Sequence, residues 1–396
     1  MNISKISSML KRHRLKKAFV LLLIATFGYD MRTYPARAQD HIALAQSFSG
    51  MGAMLLRQSG APGLVVGGVQ GERSLVLGFG KTMLGSGRTA APKGDSVVQI
   101  GSISKVLAGQ VLASMVVDGM VGLTDPLAKY APAGVKVPEL AGRQITLLDL
   151  ASYTAGLPRD LPDSSDAGPV HDLSEGGIKD YWRWLGDSKL AFPPGSSALY
   201  SNFGYVLLGE ALAKAAGKPY RILLKERVLD PLGMIDTSTE LREARKERMM
   251  VGLDSNGNEV PMRTLPAAMD PAGSVYSTGD DMIKWIRWQL GIEDAKGASV
   301  RVIEQAAYRW RQGLGFALGV GGNSMDALGL GWTISLPTRD HPLMLIKTGS
   351  MPGFMSYVAL APTRGVGVFV AFNRSQLGTL DGVAQGINQL VRDLVP

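Results

Sequence analysis

The stretch Ser96–Gly119, SVVQIGSISKVLAGQVLASMVVDG, decides how the rest of the chain is read. Ser96 to Ile100 has the make-up of a short apolar strand, and Gly101 breaks it. Val106 to Val117 is almost wholly apolar and ends at Asp118-Gly119, which predicts a buried helix rather than a strand. Ser102 and Lys105 stand at its start, three residues apart, so both side chains share one helix face. A hydroxyl beside an amine is a nucleophile beside a base. The helix N-terminus adds unpaired N–H groups and a positive dipole end, which suit a developing oxyanion. The bland alternative is a capping serine and a solvated lysine. Ser-x-x-Lys is a weak motif, and Ser8 and Lys11 make another near the start of the chain.

Residues 1–38 have the form of an export signal. Lys5, Lys11, Arg12, Arg14, Lys16 and Lys17 make a basic region, Ala18 to Tyr29 is mostly apolar, and Ala36-Arg37-Ala38 is a small-x-small cleavage pattern. The expected cut is after Ala38. Ala18–Tyr29 is short for a membrane span, and the alternative is a leader retained as an anchor, with peripheral membrane association. The first 38 residues hold eight Lys and Arg against Asp30 alone, and so carry +7 of the chain's +8. A remainder near neutrality gives no reason to expect a nucleic-acid partner, and no basic run interleaved with aromatics occurs later. The chain has no cysteine, so an exported form rests on its core without disulfides. His41, His171 and His341 are far apart, which argues against a zinc site and weakens a Ser–His–Asp triad; no metal or cofactor is expected.

Further along, His41 to Gln58 has helical spacing, and Leu64–Val69 with Ser74–Phe79 reads as a hairpin. A helix is expected from Leu123-Thr124-Asp125-Pro126, and Thr146 with Asp149 resembles a capping box. Pro158 to Gly177 is expected to be a long surface loop, while Trp182 and Trp184 suit packing better than a cleft lining. Asn202 to Ala216 reads as a second apolar helix, Leu241 to Met250 as a charged helix with a solvated face, and Asp280 to Leu290 as a helix capped at Ser277-Thr278. Leu330–Leu336, Leu343–Lys347, Met355–Ala361 and Gly365–Phe372 are strands with short turns, hence antiparallel neighbours, and Thr379–Leu394 closes as an amphipathic helix. The predicted fold is α+β: one antiparallel sheet built from both chain ends, flanked by helices, with an inserted mainly helical lobe. Residues 39–396 are expected to form a single domain, with a sheet lobe at about 39–105 and 328–396 and a helical lobe at about 106–327.

Two further motifs follow Ser-x-x-Lys, each at the end of an element. Ala198-Leu199-Tyr200-Ser201-Asn202-Phe203-Gly204 places a phenol and an amide two residues apart. Leu345-Ile346-Lys347-Thr348-Gly349-Ser350 ends a strand with an amine, a hydroxyl and a glycine. With Ser-x-x-Lys, Tyr-x-Asn and Lys-Thr-Gly in this order, the chain resembles the serine penicillin-binding protein and class C β-lactamase superfamily. LLDLASYTAGLP (147–158), PAGSVYST (271–278) and KTGSMPGFMSYVALAP (347–362) resemble further blocks of it. DPLAKYAPAGVKVP (125–138), SNFGYVLLGEALAKAAGKPY (201–220) and DALGLGW (326–332) are most similar to the AmpH-type branch of D-alanyl-D-alanine carboxypeptidase/endopeptidases.

The resemblance implies roles. Ser102 would be the acylated nucleophile, and Lys105, desolvated beside Lys347, would have a lowered pKa and take its proton. Tyr200 would relay that proton to the leaving amine and help to activate water, and the choice of base between Lys105 and Tyr200 stays open. Asn202 would hold a substrate amide. Lys347 and Thr348 would bind the terminal carboxylate of D-Ala-D-Ala or of a β-lactam. Ser350 and Ser102 would supply the oxyanion-hole N–H groups, with Gly349 allowing close approach. One departure stands out: class C β-lactamases carry a substrate-touching Gln after Gly-Leu-Pro, where this chain has Arg159-Asp160 after Gly156-Leu157-Pro158. The implied function is a periplasmic serine DD-peptidase acting on peptidoglycan stem peptides and binding β-lactams. A class C-like β-lactamase, an esterase and a penicillin sensor that stays acylated are the alternatives. No oligomeric state is implied.

Overall fold

In the computed structural model the described residues are 34–395, apart from 162–176, 263, 293–296, 322–324 and 376–379. The expected export signal up to residue 33 and most of the expected loop after Pro158 lie outside them. Two compact units divide the chain, Met1–Ser47 and Phe48–Pro396. In the first, the described residues are helical, the opening turns of α1 (Tyr34–Ser59). Everything below concerns the second.

Its main sheet has eight strands: β1 (Gly63–Gln70), β2 (Arg73–Gly80), β3 (Arg309–Trp310), β4 (Ala327–Leu328), β5 (Thr333–Ser335), β6 (Met344–Met351), β7 (Phe354–Ala361) and β8 (Val366–Phe372). Their order is β3-β4-β5-β6-β7-β8-β1-β2, and every pairing is antiparallel. The two ends of the chain meet where β1 lies against β8, with Val66 opposite Val370. Strands β7 and β8 are buried at every position, so both sheet faces must be covered. Adjacent glycines in β1 show how. A Cβ on Gly67 would meet Ile283 of α4 (Gly279–Gln289), and one on Gly68 would strike the Phe48 ring. Successive strand residues face opposite sides, so α4 and the Phe48 turn of α1 cover opposite faces. Helix α5 (Leu380–Leu394) joins the second group, its Asn388 accepting a 2.9 Å hydrogen bond from Tyr357 of β7. The sheet's second half thus starts at Arg309, ahead of residue 328.

In sequence, α2 (Ser104–Val117) and α3 (Asn202–Ala216) fall between the two halves of the sheet. Helix α2 is buried except at Ser114, Val116 and Val117, as its apolar run predicts. The one amide in that run, Gln110, accepts from Trp285 Nε1 at 2.8 Å, which satisfies a polar group that burial would otherwise penalise. Thr146 and Asp149 form a complete capping box, Thr278 caps α4, and Tyr181, Trp182 and Trp184 pack rather than line a cleft, Trp184 edge-on to Phe203.

Two expectations fail. The helix expected from Leu123 is a single 3-10 turn, Leu127–Tyr130. The Asp125 carboxylate accepts from Gly122 N, Lys129 Nζ and Tyr130 Oη, closing a tight turn, and Pro132 follows. Leu241–Met250 holds only the helical turn Glu243–Lys246. Its Arg245 is buried against Asp236, and Met250 is buried in a bridge to Leu84, so tertiary pairing overrides the local charge pattern.

Candidate active site

Ser102 stands on a 3-10 turn, Gly101–Ile103, that runs directly into α2. Gly101 has φ +51, in the left-handed region, and a Cβ there would lie 2.8 Å from the Ser350 nitrogen. On the other side of the junction, a Cβ on Gly349 would lie 2.0 Å from the Ile100 carbonyl and 2.3 Å from Ser356 Oγ. That carbonyl accepts from Ser356 Oγ at 2.8 Å. Two glycines therefore let the Ser102 turn seat directly on β6. The close approach Gly349 permits here is to the protein's own backbone. The pairing of β6 with β5 stops at Ile346, so Lys347–Met351 has no β5 partner on that side.

Tyr200 and Asn202 arrive from the turn before α3. Ser201 is the N-cap, accepting from Gly204 N at 2.8 Å and donating to Pro158 O at 2.6 Å. Because Ser201 caps, the Asn202 side chain is free to turn toward Lys105. Tyr200 stacks on Tyr153, with ring centroids 5.1 Å apart.

Ser102 Oγ accepts from Tyr200 Oη at 2.5 Å and lies 3.1 Å from Lys105 Nζ. Lys105 is fully buried, and its Nζ also donates to Ala272 O at 2.5 Å and Asn202 Oδ1 at 2.7 Å. Burial pushes its pKa well below the usual lysine range, and Lys347 and Arg159 add to this while Asp160 opposes it. A neutral amine has two hydrogens and one lone pair. In that form its two donors would serve Ala272 and Asn202, and its lone pair would face Ser102 Oγ. Tyr200 behaves oppositely: burial raises its pKa to about 12, against the pull of the Ser102 hydrogen bond and of Arg159. It rests as a phenol that donates.

Lys347 is nearly buried, 5.4 Å from the Tyr200 ring centroid, with Nζ donating to Thr348 O at 2.9 Å. Burial and then Arg159 lower its pKa to about 7. Thr348 and Ser350 are exposed beside it. The structure thus brings Ser102, Lys105, Tyr200, Asn202 and Lys347 to one locus, against the β6 edge that carries Thr348, Gly349 and Ser350. Asn373 takes no part: its amide is consumed by Gly63 N, Thr82 Oγ1 and Val251 O. Among the described residues no group of His, Asp and Glu is arranged to hold a metal ion, and no helix is long and apolar enough to cross a membrane.

Sequence reasoning missed three members. Ala272 acts through its carbonyl, which leaves no side-chain signal. Arg159 lies 4.8 Å from the Tyr200 ring centroid, and Asp160 accepts from Asn202 Nδ2 at 2.6 Å. These two were legible only as a departure from a family pattern.

A protein-family model described as Beta-lactamase matches residues 43–390. The chain is 35% identical over 337 residues to the D-alanyl-D-alanine-carboxypeptidase/endopeptidase AmpH of Escherichia coli (strain K12), covering 85% of this chain and 86% of that protein. It is 28% identical over 345 residues to a β-lactamase of Pseudomonas fluorescens, covering 81% of this chain and 91% of that protein. The crystal structure of a β-lactamase/D-alanine carboxypeptidase from Yersinia pestis, complexed with citrate, is similar with a TM-score of 0.79 at 36% identity, over 89% of this chain and 98% of that one.

Proposed function

The chain belongs to the β-lactamase family, and from that premise we propose that it is a serine DD-peptidase. It would act as a D-alanyl-D-alanine carboxypeptidase/endopeptidase on peptidoglycan stem peptides, and take up penicillins covalently through the same step. The observation that carries this is Ser102 Oγ held between Lys105 Nζ and Tyr200 Oη, with Lys347 beside them. Peptidase is favoured over β-lactamase by the 35% identity to AmpH across most of both chains.

The steps follow from the resting hydrogen bonds. Ser102 Oγ attacks the carbonyl carbon of the penultimate D-Ala while its proton passes to the Lys105 lone pair. Charge gathers on the carbonyl oxygen, opposite the backbone N–H groups of Ser102 and Ser350. The C–N bond breaks, and the leaving amine takes the proton held by Tyr200. In deacylation water gives its proton to Tyr200, and the Ser102 oxygen leaves with the proton stored on Lys105. Lys347 and Thr348 bind the terminal carboxylate. Asn202 has a second N–H, beyond the one given to Asp160, for the substrate amide.

Mass spectrometry with a D-Ala-D-Ala-terminated peptide and, separately, benzylpenicillin tests the reading. Release of D-Ala, and a penicillin adduct on Ser102 that Ser102→Ala abolishes, are expected. Repeated penicillin opening without D-Ala release would make it a β-lactamase, in line with the Pseudomonas relative. A lasting adduct with neither activity would make it a sensor.

Export to the periplasm, with cleavage after Ala38, fits this substrate and the leader-like residues 1–38. N-terminal sequencing of the exported protein should begin at Gln39. An intact Met1 on membrane-bound protein would mean a retained anchor.

A further inference from the structure

The amide of Asn202 is held at both ends. Its Oδ1 accepts from Lys105 Nζ at 2.7 Å, and its Nδ2 donates to Asp160 Oδ1 at 2.6 Å. The other Asp160 oxygen lies 3.4 Å from Arg159 Nε. The two ends are not interchangeable. A half-turn of the amide would set N–H donors against the lysine amine and an oxygen against the carboxylate. A carboxylate only accepts, so it fixes the orientation. A glutamine, as in the corresponding turn of class C β-lactamases, can present either an acceptor or a donor.

Nor is the Asp160 side chain needed to hold its own turn on α3. The Arg159 carbonyl does that, accepting from Asn202 N at 2.7 Å and Phe203 N at 3.2 Å. Among the described residues, the carboxylate's remaining buried-side task is the Asn202 amide.

We propose that Asp160 is a positioning residue for acylation: it locks the Asn202 amide with Oδ1 toward Lys105, which aims the remaining position of Nζ at Ser102 Oγ. This rests on the reading that Ser102 is acylated with Lys105 as base. The chain of contacts runs Asp160, Asn202, Lys105, Ser102. Losing the lock lets the amide turn, removes an acceptor from Nζ, and lets the amine swing off the nucleophile.

The test compares wild type, Asp160→Asn and Asp160→Glu. The second-order rate of adduct formation on Ser102 with benzylpenicillin is followed by mass spectrometry across pH, with melting temperatures alongside. Asp160→Asn keeps the shape but satisfies either amide orientation. Its rate should fall on the order of 10–100-fold, the scale of a catalytic group displaced by about an ångström. Asp160→Glu should recover part of it. The groups facing Lys105 are Lys347 on β6, Arg159 and Asp160 in the turn, and Tyr200 and Tyr205 at α3. Among the described residues Asp160 is the one anion of this set, and it raises the Lys105 pKa, so its removal should also move the acid limb of the rate to lower pH. A merely structural role would lower the rate at every pH and leave that limb in place. A wild-type rate in Asp160→Asn, or a loss with an unmoved limb and no recovery in Asp160→Glu, overturns the proposal while the functional reading stands. A wild-type protein that never labels on Ser102 overturns both.

Discussion

Lys105 and Tyr200 reach the same oxygen from two sides, Nζ at 3.1 Å and Oη at 2.5 Å from Ser102 Oγ, with their proton affinities displaced in opposite senses. Burial is the largest cause for both. It disfavours the charged form of each, which for a lysine means losing a proton and for a tyrosine keeping one. Burial thus favours an uncharged amine and an uncharged phenol beside a single hydroxyl.

Acylation therefore has an acid limb. With Lys105 as the proposed base it must be neutral, so the rate should rise as pH climbs through its lowered pKa and be lost as pH falls below it. Lys347 adds the opposite limb, for substrates with a free carboxylate only. Its pKa of about 7 means that the free enzyme loses this cation as pH rises above about 7. On such substrates kcat/KM should decline there, while a neutral ester shows no such decline. Lys347→Ala should remove that limb and cost the carboxylate substrates about 1.5–3 kcal/mol, the value of a charge-assisted hydrogen bond. The same alkaline decline on an ester would show that Lys347 supports the site in general.

Gly349→Ala should disturb the nucleophile more than the fold. The new methyl would meet the Ile100 carbonyl, two residues before Ser102, and the Ser356 hydroxyl hydrogen-bonded to that carbonyl, so the backbone has to shift. A loss of about 1–3 kcal/mol in stability is expected from overpacking, with penicillin labelling suppressed in the protein that remains folded. Gly313→Ala, where an added Cβ meets nothing within 4 Å, is the control and should change neither. Full labelling of folded Gly349→Ala would show that the turn tolerates displacement.

Glu304 links a second buried group to stability. It is fully buried and accepts from Gln289 Nε2 and Trp332 Nε1, yet burial raises its pKa from 4.5 to about 8 against those bonds. A carboxyl with a raised folded pKa contributes stability below its unfolded value and loses it as pH climbs to the folded one. The melting temperature should fall across about pH 4.5–8, and Glu304→Gln should flatten that part of the curve. The difference amounts to a few kcal/mol, on the order of 1.4 per pH unit. Asp270, raised to about 6 by burial, acts in the same sense at the lower end and is common to both proteins. Parallel curves would mean that Glu304 stays charged when folded.

What the sequence discloses follows its periodicities. An unbroken apolar run has one physical destination, so α2 and the buried strands β7 and β8 were legible, as was the one-turn spacing of Ser102 and Lys105. Strand β6 is expected to end at Lys347. The strand continues to Met351, paired with β7 throughout, and Gly349 leaves room for the Ile100 carbonyl. Side-chain closures such as Asp125 on Tyr130, and long-range pairs such as Arg245 on Asp236, leave no periodic trace. The same holds at the site. Tyr200 and Asn202 were visible as a motif, but the contact of Asn202 with Lys105 spans 97 positions, and its partner Asp160 falls in no motif.

Tyr200→Phe separates the two proposed proton carriers. The change removes one oxygen and keeps the ring, so stacking on Tyr153 and the contacts of Lys105, Arg159 and Lys347 with the ring face should persist. Ser102 Oγ loses a donated hydrogen bond but keeps Lys105. Because Tyr200 rests protonated, with a pKa of about 12, it does not serve as the base that starts acylation. Opening a β-lactam by the mutant loses the acid for the leaving amine but keeps the Lys105 base, so it should slow, though less than deacylation. Deacylation needs a group that receives the proton of the attacking water, and it should slow by about 10²–10⁴, the range of a general acid–base contribution. The Ser102 adduct should then accumulate and be directly weighable, since the opened β-lactam stays tethered. Stopped-flow acylation and adduct lifetime measure the two halves separately. Equal losses in both would mean that the proton given to the leaving amine matters as much as the one taken from water. Wild-type values in both would leave Tyr200 with no proton to carry.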